Sequence, residues 1–83
     1  MQHLEEVKNI VSDVLSLGER KSSLREDSAL LGAIPELDSM AVVNVITALE
    51  EHFGVTVDDD EISARTFETL GSLTRFIEQK LDE

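Results

Sequence analysis

The sequence of 83 residues has no cysteine, no tyrosine, no tryptophan and one proline, and only seven bases against eighteen acids. Each shortage excludes something. Without cysteine there is no disulfide framework and no thiolate metal site, and any thiol chemistry must come from an attached group. Three phenylalanines are the whole aromatic complement, so the core must be aliphatic. No run approaches the roughly 18–20 apolar residues needed to span a bilayer, and no signal-peptide pattern opens the chain. Both observations predict a cytoplasmic protein. The net charge of −11 repels phosphate backbones and argues against nucleic acid as a partner.

What is present fits one compact unit. A hydrophobic share of 41% supports a core, and the length leaves no room for a second one, so residues 1–83 are expected to form a single domain. The charge is unevenly spread. Residues 31–61 hold eight acids (Glu36, Asp38, Glu50, Glu51, Asp58, Asp59, Asp60 and Glu61) and no lysine or arginine. Such a stretch is either a solvated surface that keeps a small protein in solution or a face that steers basic partners.

Periodicity and capping residues predict an all-α fold. Leu4, Val7, Val11 and Val14 recur at helical spacing, and Gly18 marks the expected stop near Leu17. Glu19 to Ser28 is polar and reads as loop. Leu30, Leu31, Ile34 and Leu37 follow, but Gly32 and Pro35 prevent a regular helix. This is expected to be a long loop pinned by buried side chains, and such loops usually position something. A helix from about Met40 to His52 comes next, with Met40, Val43, Ile46, Leu49 and Phe53 as its expected buried face and Gly54 as its stop. Ala41, Val42, Val45 and Ala48 widen its apolar surface, for a partner or for burial on two sides. Asp58 and Glu61 fit a capping box opening a short helix that ends by Arg65. Thr69 is the expected N-cap of a last helix carrying Leu70, Leu73, Ile77 and Leu81. The prediction is a small four-helix bundle with three longer helices and one short one.

Ser39 is the residue of chemical interest. On its own it could be an ordinary helix N-cap. It could also hold a phosphoryl group at the positive end of a helix dipole, where a negative charge gains about 0.3–1 kcal/mol. The residues around it carry a resemblance. Asp38-Ser39-Met40 resembles the Asp-Ser-Leu signature of acyl carrier proteins. Ala48 to Val55 is similar to the second half of their helix II, Asp58 to Ile62 to the start of their helix III, and Phe67 to Leu73 to the approach to their final helix. The likeness spans essentially the whole chain and is strongest from Leu37 to Leu73.

The resemblance implies that Ser39 accepts 4′-phosphopantetheine from coenzyme A through a separate phosphopantetheinyl transferase. Asp38 would assist near that transferase's magnesium ion, and Met40 would be partly buried beneath the arm. Acyl cargo would travel as a thioester whose chemistry belongs to the arm, in lipid or polyketide biosynthesis. Partners would be acyl-activating, acyl-transferring or condensing enzymes, docked along Asn44, Thr47, Glu50 and Glu51. The carrier itself would be a monomer and not an enzyme. Ala41 and Asn44 depart from the family, standing where fatty-acid carriers usually place acids. That departure, with the Leu31-to-Leu37 approach, points to dedicated partners in polysaccharide or secondary-metabolite clusters. Two other readings compete: an aminoacyl or peptidyl carrier, and a helical interaction domain in which Ser39 only caps.

Other candidates carry less. An EF-hand loop starting at Asp58 would need glycine sixth and glutamate twelfth; Ser63 and Thr69 stand there, so no metal site is expected. His3 and His52 lack any ligand or nucleophile spacing. No glycine-rich phosphate loop or nucleophile elbow occurs.

Overall fold

The computed structural model describes residues 2–82. Helix α1 (Leu4–Leu15) leads into a 3-10 helix (Gly18–Ser23), then α2 (Ser39–Phe53), a second 3-10 helix (Asp59–Glu61) and α3 (Leu70–Leu81). The architecture is the expected one, three longer helices and a short one before the last. The Gly18–Ser23 turn was not expected. Its residues are polar and none is buried, so no apolar period announces it.

Helix α1 stops two residues earlier than Gly18 suggests. Ser16 takes the left-handed conformation (φ 54°), and the Leu17 amide bonds back to the Ser12 carbonyl at 3.0 Å. The reversal turns Leu17 into the core, the apolar contact that commonly follows a left-handed C-cap.

Val7, Val11 and Leu15 of α1 meet Ala41, Val45 and Leu49 of α2 and Leu70, Leu73 and Ile77 of α3 in an aliphatic core. Phe67 is its one fully buried aromatic residue. The buried face of α2 differs from expectation. Ile46 and Leu49 are buried, but Met40 is 69% exposed and Val43 57%. At 100° per residue, Ala41, Val45 and Leu49 form one stripe and Met40, Val43 and Thr47 another. Both stripes satisfy helical spacing, and the stripe with its neighbours Val42 and Ile46 is the wider apolar face, so it turns inward.

The long loop before α2 is pinned as expected at Leu30 and Leu37, whereas Leu31 is exposed. Backbone bonds lace this loop to the segment before α3. The Leu30 and Leu31 amides donate to the Glu68 and Phe67 carbonyls at 3.1 and 3.0 Å, and the Leu70 and Gly71 amides donate to Ser28 and Glu26 at 3.0 and 2.7 Å. Ala29 and Thr69 form an isolated antiparallel bridge. Gly71 permits this approach, since a Cβ there would lie 2.7 Å from Glu26 Cγ and 2.8 Å from its carbonyl oxygen.

Candidate functional site at the start of helix α2

The N-cap of α2 is Asp38, not Ser39. Its backbone is extended, and its carboxylate Oδ1 accepts the Ala41 amide at 2.9 Å, while its carbonyl accepts the Val42 amide at 2.9 Å. Ser39 is therefore the first helical residue. It is exposed, and its hydroxyl bonds to no other described residue. The reading of Ser39 as a mere cap thus fails, because its neighbour performs that task. The Ser39 and Met40 amides lie in the first turn, where helical geometry supplies no partner. An anion attached to Ser39 would meet them and the dipole's positive end.

Met40 stands in the open beside Ser39 rather than partly buried. With Val43, Asn44, Thr47 and Glu51 it makes an exposed outer face on α2. Glu50 is a partial exception among the expected docking residues. It is half-buried, and its carboxylate accepts the Val57 amide at 2.8 Å, fastening the segment after α2. The Asp58–Glu61 run is likewise structural. Glu61 accepts the Asp58 amide at 2.8 Å and pairs with Lys80 at 2.8 Å. The Lys80 ammonium, then the Asp58 N–H, holds the Glu61 carboxyl below the usual carboxylate range. Among the described residues no group of three or more potential ligands could hold a metal ion. His3 and His52 lie at the opposite end of α2, edge-on to Phe53 with ring centroids 5.5 and 4.7 Å away.

A side-chain contact that the sequence does not signal fastens the approach to α2. Arg20, in the first 3-10 helix, makes a two-armed ion pair with Glu36, its Nη1 donating to Oε1 at 3.2 Å. The Arg20 hydrogen bond holds the Glu36 carboxyl below its ordinary value. Beside this pair runs a groove of about 350 Å³ bordered by Leu17, Leu24, Ile34 and Pro35. The pairing spans sixteen positions, so no local spacing signals it. The only hint is that residues 31–61 carry acids without a base of their own.

No helix among the described residues is long and apolar enough to cross a membrane. The family profile described as a phosphopantetheine attachment site matches residues 5–77. An acyl carrier protein of Thermosynechococcus vestitus is 40% identical over 94% of this chain and 90% of its own length. One from Thermotoga maritima is 33% identical over 90% of this chain and 86% of its own. The solution structure of a holo acyl carrier protein from Nitrosomonas europaea is 72% identical, covers both chains completely and superposes with a TM-score of 0.92. On this match of sequence and fold, the chain belongs to the acyl carrier protein family.

Proposed function

We propose that Ser39 is the residue on which this acyl carrier holds its covalent 4′-phosphopantetheine arm. The observation that carries the assignment is the division of labour at the start of α2. Asp38 caps the helix, and Ser39 is left exposed with an uncommitted hydroxyl at the helix's positive end. In the transfer, the Ser39 oxygen attacks the pantetheine-bearing phosphorus of coenzyme A. A P–O bond forms, the diphosphate link breaks, adenosine 3′,5′-bisphosphate leaves, and the hydroxyl proton passes to the transferase. Asp38 assists by fixing the helix start and by adding a carboxylate next to the reacting oxygen. A cytoplasmic setting is part of this reading, since coenzyme A must be at hand as the donor.

The single domain then acts as a monomeric carrier that makes and breaks no bond in its cargo. Acyl-activating, acyl-transferring or condensing enzymes read the exposed face of α2 through Met40, Val43, Asn44, Thr47 and Glu51. Glu50 contributes charge while holding Val57. Ala41 faces the core, and with Asn44 and Thr47 neutral and Met40 and Val43 apolar, the exposed face favours partners that combine a small apolar contact with few ion pairs. Such partners are dedicated ones rather than the general fatty-acid machinery.

The test is intact mass after incubation with coenzyme A and a broad-specificity phosphopantetheinyl transferase. One phosphopantetheine adduct is expected on the wild type and none on Ser39→Ala. An adduct that persists in Ser39→Ala, or its absence from the wild type, would sink the assignment.

A further inference from the structure

We propose that the groove between the first 3-10 helix and the approach to Ser39 is a resting site for the pantetheine portion of the chain's own arm, with the Arg20–Glu36 pair forming part of its rim. The proposal rests on the reading that Ser39 carries that arm. Its first support is continuity. Ala33, Ile34 and Pro35 line the groove, and the chain runs from them through a tight turn directly to the attachment point. In that turn the Leu37 amide bonds to the Ile34 carbonyl at 3.0 Å and the Asp38 amide to the Glu36 carbonyl at 3.1 Å. A short hydrogen-bonded turn thus joins the groove wall to the serine.

The second support is chemical match. Pantetheine alternates methyl-bearing and methylene segments with two amides and a hydroxyl. The groove offers both kinds of surface: Leu17, Leu24 and Ile34 are apolar, while Arg20 and Ser23 bring polar groups. The Ser23 hydroxyl bonds to no other described residue. A bare acyl chain would use only the apolar part, whereas the amides and hydroxyl of pantetheine can also meet the exposed Ser23 hydroxyl. At about 350 Å³, the space lies near the lower bound for small-molecule sites.

The third is charge. The arm's phosphodiester would add anionic charge to a stretch that has acids and no base of its own. Arg20 is the cation that the fold ties to this approach segment, through Glu36. Because the arm is tethered, a contact too weak to hold free pantetheine becomes populated at high effective concentration. Docking on the outer face of α2 would then leave the arm free to swing from groove to active site.

The test compares apo and holo protein by NMR, with intact mass recorded on each sample. The expected result is that arm attachment shifts Leu17, Leu24, Ala33 and Ile34 resonances and gives cross-relaxation between the arm's methyls and the Leu24 or Ile34 methyls. Ala33→Phe should fill the groove, abolish those shifts while still gaining the adduct, and raise alkylation of the arm's thiol by a bulky maleimide several-fold. Alanine 33 is exposed, and the cross-relaxation measurement on wild type stands even if this variant misfolds. An adduct whose shifts stay within Ser39–Val43, or move to Ile62 and Phe76, would overturn the groove and leave the Ser39 assignment intact. Absence of any adduct would sink both.

Discussion

The two ends of the bundle are built by different means. At the Ser39 end, a long loop is laced by backbone bonds to the segment that opens α3, and the side chain of interest is left free. At the other end, side chains do the joining. Glu78 accepts the His3 amide at 3.1 Å and meets its ring at 3.2 Å, His52 meets Glu6 at 2.9 Å, and both rings flank Phe53. The difference separates duties. Backbone lacing fixes the position of a helix start without committing the hydroxyl it presents. Side-chain clamping closes the far end and makes it sensitive to substitution and pH.

The strongest way to break this contrast is to cut the lacing. Leu30 is fully buried between two laced amides, so Leu30→Ala should cost about 2–5 kcal/mol. In a domain of this size, each kcal/mol lowers the melting temperature by roughly 4–8 °C. Gly71→Ala should cost less, about 1–3 kcal/mol, because the added methyl would press on the Glu26 backbone. Hydrogen exchange distinguishes the ends. Amides of Leu30, Leu31 and Gly71 should lose protection in Gly71→Ala, while those of α1 near His3 keep theirs. Uniform loss would show that the ends are not separable.

Much of this arrangement is legible in the sequence, and what is not has identifiable causes. Thr69 and Glu61 act within three residues of their partners, and their bonds at 3.0 and 2.8 Å are what local spacing can announce. Leu30 and Leu37 declare a pinned loop by being apolar among turn residues. The partners of Leu30 and Leu31, at Glu68 and Phe67, are invisible, because pairing between distant backbones leaves no periodic mark. The inner face of α2 differs from the sequence expectation at Met40 and Val43 because two stripes with apolar residues share one helix. Only the packing partner decides which turns inward. The likeness around Ser39 points to the candidate site without saying that Asp38, one residue earlier, relieves it of capping.

That last point yields a smaller, sharper contrast. Asp38→Ala removes the bond to the Ala41 amide and should cost ~1 kcal/mol, within a usual range of about 0.5–2 for caps. Ser39→Ala removes no hydrogen bond and should stay within about 0.5 kcal/mol of wild type. Urea midpoints measure both. A Ser39→Ala loss as large as that of Asp38→Ala would mean the hydroxyl has a structural duty after all.

The smallest expected effect concerns pH at the far end. The His3 backbone N–H, then the His3 ring, holds the Glu78 carboxyl below the ordinary glutamate range. A carboxyl depressed in the folded state adds stability that is fully present above its unfolded value, about 4.3. That stability is lost as pH falls through the lower, folded value. Acidifying from pH 6 toward 3 should therefore loosen the His3–Phe53 end. Glu78→Gln keeps an acceptor for the His3 amide but cannot titrate. It should start slightly less stable at pH 6 and lose less on acidification, with the change confined to far-end amides. Glu36 is depressed too, by Arg20, so Glu36→Gln is the matching substitution near Ser39. Its altered acid response should appear around Arg20 and Leu37 and leave the His3 amides unchanged. If either variant altered acid response at both ends equally, the charged pairs would be acting through the whole bundle rather than through the end each one joins.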